Sequence, residues 1–265
     1  MSSQRRRRYA IQRIKFLTST SFTVIVLLCS ACGGIPAPQP FQGDPTVFHR
    51  ALAQIEHDQR AYQGELKTTL WRGDERVRGR QLFLIAPPDR LRLTLLSPFE
   101  QPISDLVYRE QKLFLWFMKE NRFFSGTASA RAFARLTQVE ISPALFSGLL
   151  RGAPPRVKTD GGSVRWDGER GRYLFTLSAG DQRQEFALSA DLSTLHQVQF
   201  WADGALRYRL SLADHRDGHA HRMRIEHPEA ELRLDLRVVD LSPLEEVTPD
   251  LFELSPPSGI NVEPL

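Results

Sequence analysis

The sequence predicts an α+β domain built on one strongly curved antiparallel sheet, a half-barrel of about eleven strands, with about three helices covering its concave face. Three observations carry that expectation. Short runs rich in aliphatic and aromatic residues recur between turn residues along most of the chain, several of them alternate apolar and polar positions, and no strand–helix–strand alternation of a parallel sheet is present. The cleanest alternation sets Leu232, Leu234, Leu236 and Val238 against Arg233, Asp235 and Arg237, a strand with one dry and one wet face. Tyr208, Leu210 and Leu212 against Arg207 and Arg209 repeat the pattern.

From the N-terminus, a basic run (Arg5 to Arg8, Arg13, Lys15) precedes an apolar stretch from Phe22 to Leu28 and the small residues Ser30 and Ala31. These are the three parts of a secretory signal over residues 1–31, and the apolar stretch is too short for a bilayer span of about 20 residues. Leu28-Cys29-Ser30-Ala31-Cys32 resembles the bacterial lipobox, with Cys29 where that pattern carries Leu, Val or Ile. The resemblance implies cleavage before Cys32 and acylation of Cys32. The mature chain then has neither a free thiol nor a disulfide. The other reading, an exported redox pair of Cys29 and Cys32, would need a folded strand–helix unit beside them. Residues 32–45 follow as a flexible tether rich in Pro and Gly. Inner-membrane lipoproteins resemble one another in an Asp after the acylated Cys, whereas Gly33 stands here, which favours the outer membrane.

The folded domain is expected over residues 46–265. Val47, Phe48, Leu52, Ile55 and Tyr62 recur at helical spacing behind Thr46, which predicts an amphipathic helix from Thr46 to about Tyr62. Strands are predicted at 66–71, 76–85, 91–96, 103–108 and 112–118, with turns at Gly73-Asp74, Pro87-Pro88-Asp89, Pro98 to Pro102 and Glu110-Gln111. Two helices are predicted next, at 128–136 and 143–150, the second capped by Ser142 with Pro143 in its first position. Strands then resume at 173–177, 185–188, 198–201, 206–212, 221–225 and 231–238. Leu113 to Met118 is apolar on both faces, so whatever the helices leave bare must be covered by something else.

Charge excludes one class of function. Removing the signal takes six of the 35 Lys and Arg residues and no acid, leaving 29 basic against 31 acidic side chains. A mature domain of formal charge −2 has no bulk electrostatic reason to seek nucleic acid. Nor does catalysis show itself: there is no Gly-x-Ser-x-Gly elbow, ordered Ser/His/Asp set or phosphate-cradling Gly loop, and Gly161-Gly162 and Gly168 to Gly171 read as hairpin turns. We expect no enzyme and no cofactor. His215, His219, His221 and His227, with Asp214 and Asp217, are the one candidate metal cluster; their spacing fits no familiar zinc pattern and reads better as a polar hairpin.

Three segments carry a family resemblance: Tyr62-Gln63-Gly64-Glu65-Leu66; Asp89-Arg90-Leu91-Arg92-Leu93-Thr94-Leu95-Leu96-Ser97-Pro98-Phe99; and Pro143 to Pro154 with its Leu-Leu-Arg-Gly-Ala-Pro close. Together they resemble the LolB/LolA half-barrel lipoprotein family over residues 46 to 155; beyond that only strand order matches. The resemblance implies an apolar cavity that takes the acyl chains of a passing lipoprotein, delivery into the outer membrane, and a LolA-type periplasmic carrier as candidate donor. The charge balance leaves no nucleic-acid partner expected, and a monomer is expected. Phe99 stands where the family projects an apolar side chain into the membrane, although Glu100-Gln101 replaces a Gly-Ser-type turn. Leu70, Phe83, Leu93, Leu95, Phe114, Trp116, Leu145 and Leu149 are the candidate cavity lining. The plainer alternatives are that Phe99 packs on its own strand ends and that the apolar strand is ordinary core. A rival function from another class is an envelope lipoprotein that uses the same sheet to bind a protein, with the tail from Thr248 to Leu265 docking on the sheet edge or recruiting a partner.

Overall fold

The computed structural model describes residues 34–56, 60–137, 141–152 and 156–265. The expected signal and Cys32 lie outside the described residues. Helix α1 (Pro45–Glu56) leads into six strands: β1 (Ala61–Arg72), β2 (Glu75–Ala86), β3 (Arg90–Leu96), β4 (Pro102–Arg109), β5 (Lys112–Phe117) and β6 (Arg122–Thr127). Helices α2 (Ala130–Thr137) and α3 (Pro143–Leu150) follow. The second run comprises β7 (Ser163–Asp167), β8 (Arg172–Ala179), β9 (Gln182–Ser189), β10 (Leu195–Ala202), β11 (Ala205–Arg216), β12 (His219–His227) and β13 (Leu232–Leu244), and β14 (Val262–Pro264) ends the chain.

All fourteen strands form one unclosed sheet in the order β14-β6-β5-β4-β3-β2-β1-β13-β12-β11-β10-β9-β8-β7. Every neighbouring pair is antiparallel except β14 with β6. Hairpins dominate because two-residue turns are available: Glu110 and Gln111 both take positive φ (50° and 60°) between Arg109 and its partner Lys112. The fold class is therefore the predicted one, with three more strands than expected. Those are β6, where adjacent Phe123 and Phe124 break the alternation, the five-residue β7, and the three-residue β14.

The helices pack on one face. Phe48 of α1 lies against Tyr173 and Phe175, with ring centroids 5.3 and 5.2 Å away, and Phe133 of α2 meets Phe146 of α3 at 5.4 Å. Beneath them Leu66, Leu70, Phe83, Leu91, Leu93, Leu106, Leu115, Phe186, Leu210, Ile225 and Leu234 make one continuous buried cluster. Helix α3 has the predicted bounds: Ser142 Oγ accepts from Leu145 N at 3.1 Å, and Pro143 takes the first position. Helix α1 ends earlier than predicted. Tyr62 belongs to β1, where it is buried just as the helical spacing required, so the same apolar position served a different element. Among the described residues no helix is long and apolar enough to cross a membrane.

Segments near both ends of the described chain pack on the sheet. Ile35 N donates to Gly168 O at 2.6 Å, Trp166 Nε1 to Ile35 O at 2.7 Å, and Gln42 N to the Tyr173 hydroxyl at 3.2 Å, so the expected tether is held against β7 and β8 over part of its length. At the other end a short 3-10 turn (Pro249–Phe252) sets Phe252 into the helix-free face among Ala61, Ala86 and Val107, with Leu84, Phe114, Leu251 and Leu254 beside it. This is the cover the doubly apolar strand β5 demanded. Strand β14 then adds to the β6 edge, fixed by an Arg122–Glu263 ion pair.

Candidate functional site

The β3–β4 loop is built to hold one side chain outward. Ser97 N donates to Gln101 O at 2.8 Å and Glu100 N to Ser97 O at 3.0 Å, while Ser97 Oγ accepts from the backbone of Phe99 and Gln101 at 3.2 and 3.1 Å. Glu100, at φ 63°, makes the turn where the family resemblance led us to expect Gly-Ser, and its carboxylate pairs with Arg80. Phe99 at the apex is 85% exposed. It does not pack on its own strand ends.

Behind that loop two open spaces on the helix-free face adjoin one another. One is a groove of about 620 Å³ lined by Leu82, Leu84, Trp116, Met118, Pro102 and Leu254, with the Arg92–Asp105 ion pair among its walls. The other is a basin of about 1280 Å³ that reaches from Ser97 and Pro98 to Gln197, Gln199 and Arg170. Seven strands separate β3 from β8 in the sheet order. At about 4.8 Å per strand a flat sheet would hold Pro98 and the β7–β8 turn far apart, so the sheet is not flat across these strands. Between the two spaces Arg80 donates from Nε and Nη2 to Glu65, each at 2.7 Å. Those hydrogen bonds hold the Glu65 carboxyl below its usual range against the opposing effect of burial, and they raise the Arg80 guanidinium.

The eight candidate lining residues divide by face. Leu70, Phe83, Leu93, Leu145 and Leu149 come together beneath the helices, each under a tenth exposed, in the packed cluster described above. Leu95 is half-buried on the same strand as Leu93. Phe114 and Trp116 correct the expectation: their odd-numbered neighbours Leu113 and Leu115 take the helix side, and they turn to the other face. Trp116 and Phe83 both line the 620 Å³ groove. The bowl is packed at these residues, while an open space of about 800 Å³ remains on the helix side beside α1, with Ala51, Ile55, Leu195, Leu212 and Ala220 in its lining.

The histidine segment is the polar hairpin that its sequence suggested. His215 bonds the Leu195 carbonyl and His219 the Asp217 carbonyl, each at 3.0 Å, and His219 sits edge-on to Tyr62. Among the described residues no group of three His, Cys, Asp or Glu side chains could hold a metal ion. The groove and basin themselves escaped sequence reasoning. Their signal was Arg76, Arg78 and Arg80 at period two, facing a wet side that charge totals do not single out.

No protein-family model matches the chain, and no curated protein sequence matches it. Solved structures do. A LolA superfamily protein from Nitrosomonas europaea superposes with a TM-score of 0.53 at 15% identity, covering 79% of this chain and 97% of that one. The chain has a LolA-type fold. A putative outer membrane lipoprotein-sorting protein domain from Vibrio parahaemolyticus gives 0.57 at 11% identity over 78% of this chain and 94% of that one. A DUF1329 family protein from Desulfovibrio piger gives 0.58 at 13% identity over 79% and 95%. At such identities the likeness is one of fold.

Proposed function

We propose that this chain is a LolB-like outer-membrane lipoprotein, anchored through Cys32, that takes up the acyl chains of other lipoproteins and helps insert them into the outer membrane. The observation that carries this reading is Phe99, an aromatic side chain held in water at the apex of a loop tied by two backbone–backbone hydrogen bonds and two more to the Ser97 hydroxyl. Burying such a side chain is worth about 1.5–3 kcal/mol, so entry of Phe99 into the apolar part of a bilayer would contribute binding energy of that order.

Acyl chains gain about 0.8 kcal/mol per methylene on leaving water, which means that a protein handling them must offer shelter continuously. The groove of about 620 Å³ lies within the size range of small-ligand sites and is lined by Leu82, Leu84, Trp116, Met118 and Leu254 on the same face as the loop. Uptake there needs no movement of the helices. The fold supports the reading further, since LolA superfamily and lipoprotein-sorting domains share it.

A second reading is favoured by the packing of two candidate lining residues: with Leu145 and Leu149 buried in the core, the sheet serves as a scaffold for another protein. Displacement of a fluorescent fatty acid from the full chain separates the two. The delivery reading expects one saturable apolar site weakened by Leu82→Asp; absence of a saturable site leaves the scaffold.

A further inference from the structure

The basin on the helix-free face contains a row of cations that the fold places directly against one another. Strand register sets Arg80 opposite Lys67, Lys67 opposite Arg237, and Arg237 opposite Arg222, so β2, β1, β13 and β12 each contribute one positive side chain to a single rung. All four line the basin. Directly opposed like charges on neighbouring strands are destabilising, and no acid interrupts this rung. Arg80 is neutralised by Glu65 and Glu100, but Lys67, Arg222 and Arg237 form no ion pair among the described residues. Arg78, one rung on and also in the basin, likewise has none.

The next rung in the other direction is mixed, with the apolar Leu82 between Glu65 and Thr94. Glu65 lies opposite Leu82 and Leu82 opposite Thr94, and these residues line the 620 Å³ groove. Two residues along a strand is about 7 Å, so a compact anion seated on Lys67 would have its substituents within reach of Leu82, at the near end of the groove. The loop that carries Phe99 forms the shared rim, since Ser97 and Pro98 line the basin.

We propose that this row binds the phosphate of an anionic phospholipid headgroup, with Arg222, Arg237 and Lys67 as its ligands and the lipid's chains directed to the groove. Guanidinium groups match phosphate oxygens in pairs, and a bound dianion or monoanion would relieve the repulsion built into the rung. Free phosphate would satisfy the cations alone; the adjoining groove, with Leu82 and Leu84 in its wall, and the exposed Phe99 favour a phosphate that carries hydrocarbon. The assignment of the cation row stands on register and charge and does not depend on lipoprotein delivery, although the position given to the lipid's chains draws on the groove assigned above.

The test is calorimetric titration of the full chain with short-chain phosphatidic acid, short-chain phosphatidylcholine and inorganic phosphate. Phosphatidic acid is expected to bind saturably and more weakly as salt rises, with the Arg222→Gln/Arg237→Gln variant weakened on the order of tenfold or more. Because that variant removes like-charge repulsion, its melting temperature is expected to stay level or rise, and Lys67→Gln gives an independent check at a surface position. Equal binding of phosphatidylcholine, or unchanged binding in the variants, overturns the cation site while leaving acyl-chain uptake intact. Equal binding of inorganic phosphate overturns the lipid assignment.

Discussion

Arg92 holds Asp105 from two nitrogens beneath the C-terminal tail: its Nε lies 3.1 Å from Asp105 Oδ2, and its Nη2 reaches the same oxygen. Thr94 Oγ1 donates to Asp105 Oδ1 at 3.0 Å, and Arg92 Nη1 donates to the Leu251 carbonyl at 3.1 Å, so one ion pair joins β3, β4 and the tail. The Asp105 side chain is only 4% exposed. Removing one partner of a buried pair costs about 3–5 kcal/mol, because the other charge is left without compensation. Asp105→Ala should lose that much in urea unfolding; a loss below about 1 kcal/mol would mean the pair behaves like a surface one.

The tail itself is predicted to be part of the fold. Phe252 is 1% exposed against Ala61, Ala86 and Val107. Phe252→Ala should cost about 3–5 kcal/mol. It should also make residues beyond Leu244 sensitive to limited proteolysis while the rest resists. Uniform resistance would show the tail to be held elsewhere.

Gly64 allows strands β1 and β13 and the Phe83 ring to approach one another. A Cβ there would lie 2.1 Å from the Asp240 carbonyl oxygen and 2.8 Å from the Phe83 ring. The carbonyl belongs to the backbone, so the ring alone cannot make room. Gly64→Ala is expected to destabilise by about 1–3 kcal/mol, and pairing it with Phe83→Leu should recover only part of that. Denaturant midpoints of the two variants check both statements.

Acid should weaken the Glu65–Arg80 link. The folded-state Glu65 carboxyl is held below its ordinary value by the Arg80 hydrogen bonds, so its stabilisation is present above the unfolded value and is lost as pH falls through the folded one. The melting temperature of the wild type should exceed that of Glu65→Gln at neutral pH, with the gap closing under acid. A gap independent of pH would contradict the assignment.

Much of this fold was legible because a strand's side chains alternate and a helix's recur at three to four. Leu232 to Val238 and Pro143 to Leu150 announce their elements in that way, and Ser142 marks its helix start. The elements missed are those with weak local signals: β6 is apolar at Phe123 and Phe124 together, and β14 is three residues containing a proline. Tyr62 misled because an inward position suits the end of a helix and the start of a strand equally. The loop at Phe99 could be placed from its flanking prolines. Which face Phe114 and Trp116 take depends on parity, and the packing of the bowl depends on how α2 and α3 sit; neither is local. The cation row was the least visible feature, since an overall charge near balance conceals it and only register brings Lys67, Arg222 and Arg237 side by side.

The account turns on whether the loop carrying Phe99 meets the membrane during delivery. The direct measurement is insertion of a carrier-bound lipoprotein into vesicles by the wild type, Phe99→Leu and Phe99→Glu, each at matched melting temperature. Phe99→Leu should insert nearly as well as wild type, whereas Phe99→Glu should fall by about tenfold to a hundredfold, the equivalent of losing one aromatic burial. Equal insertion by all three would contradict it.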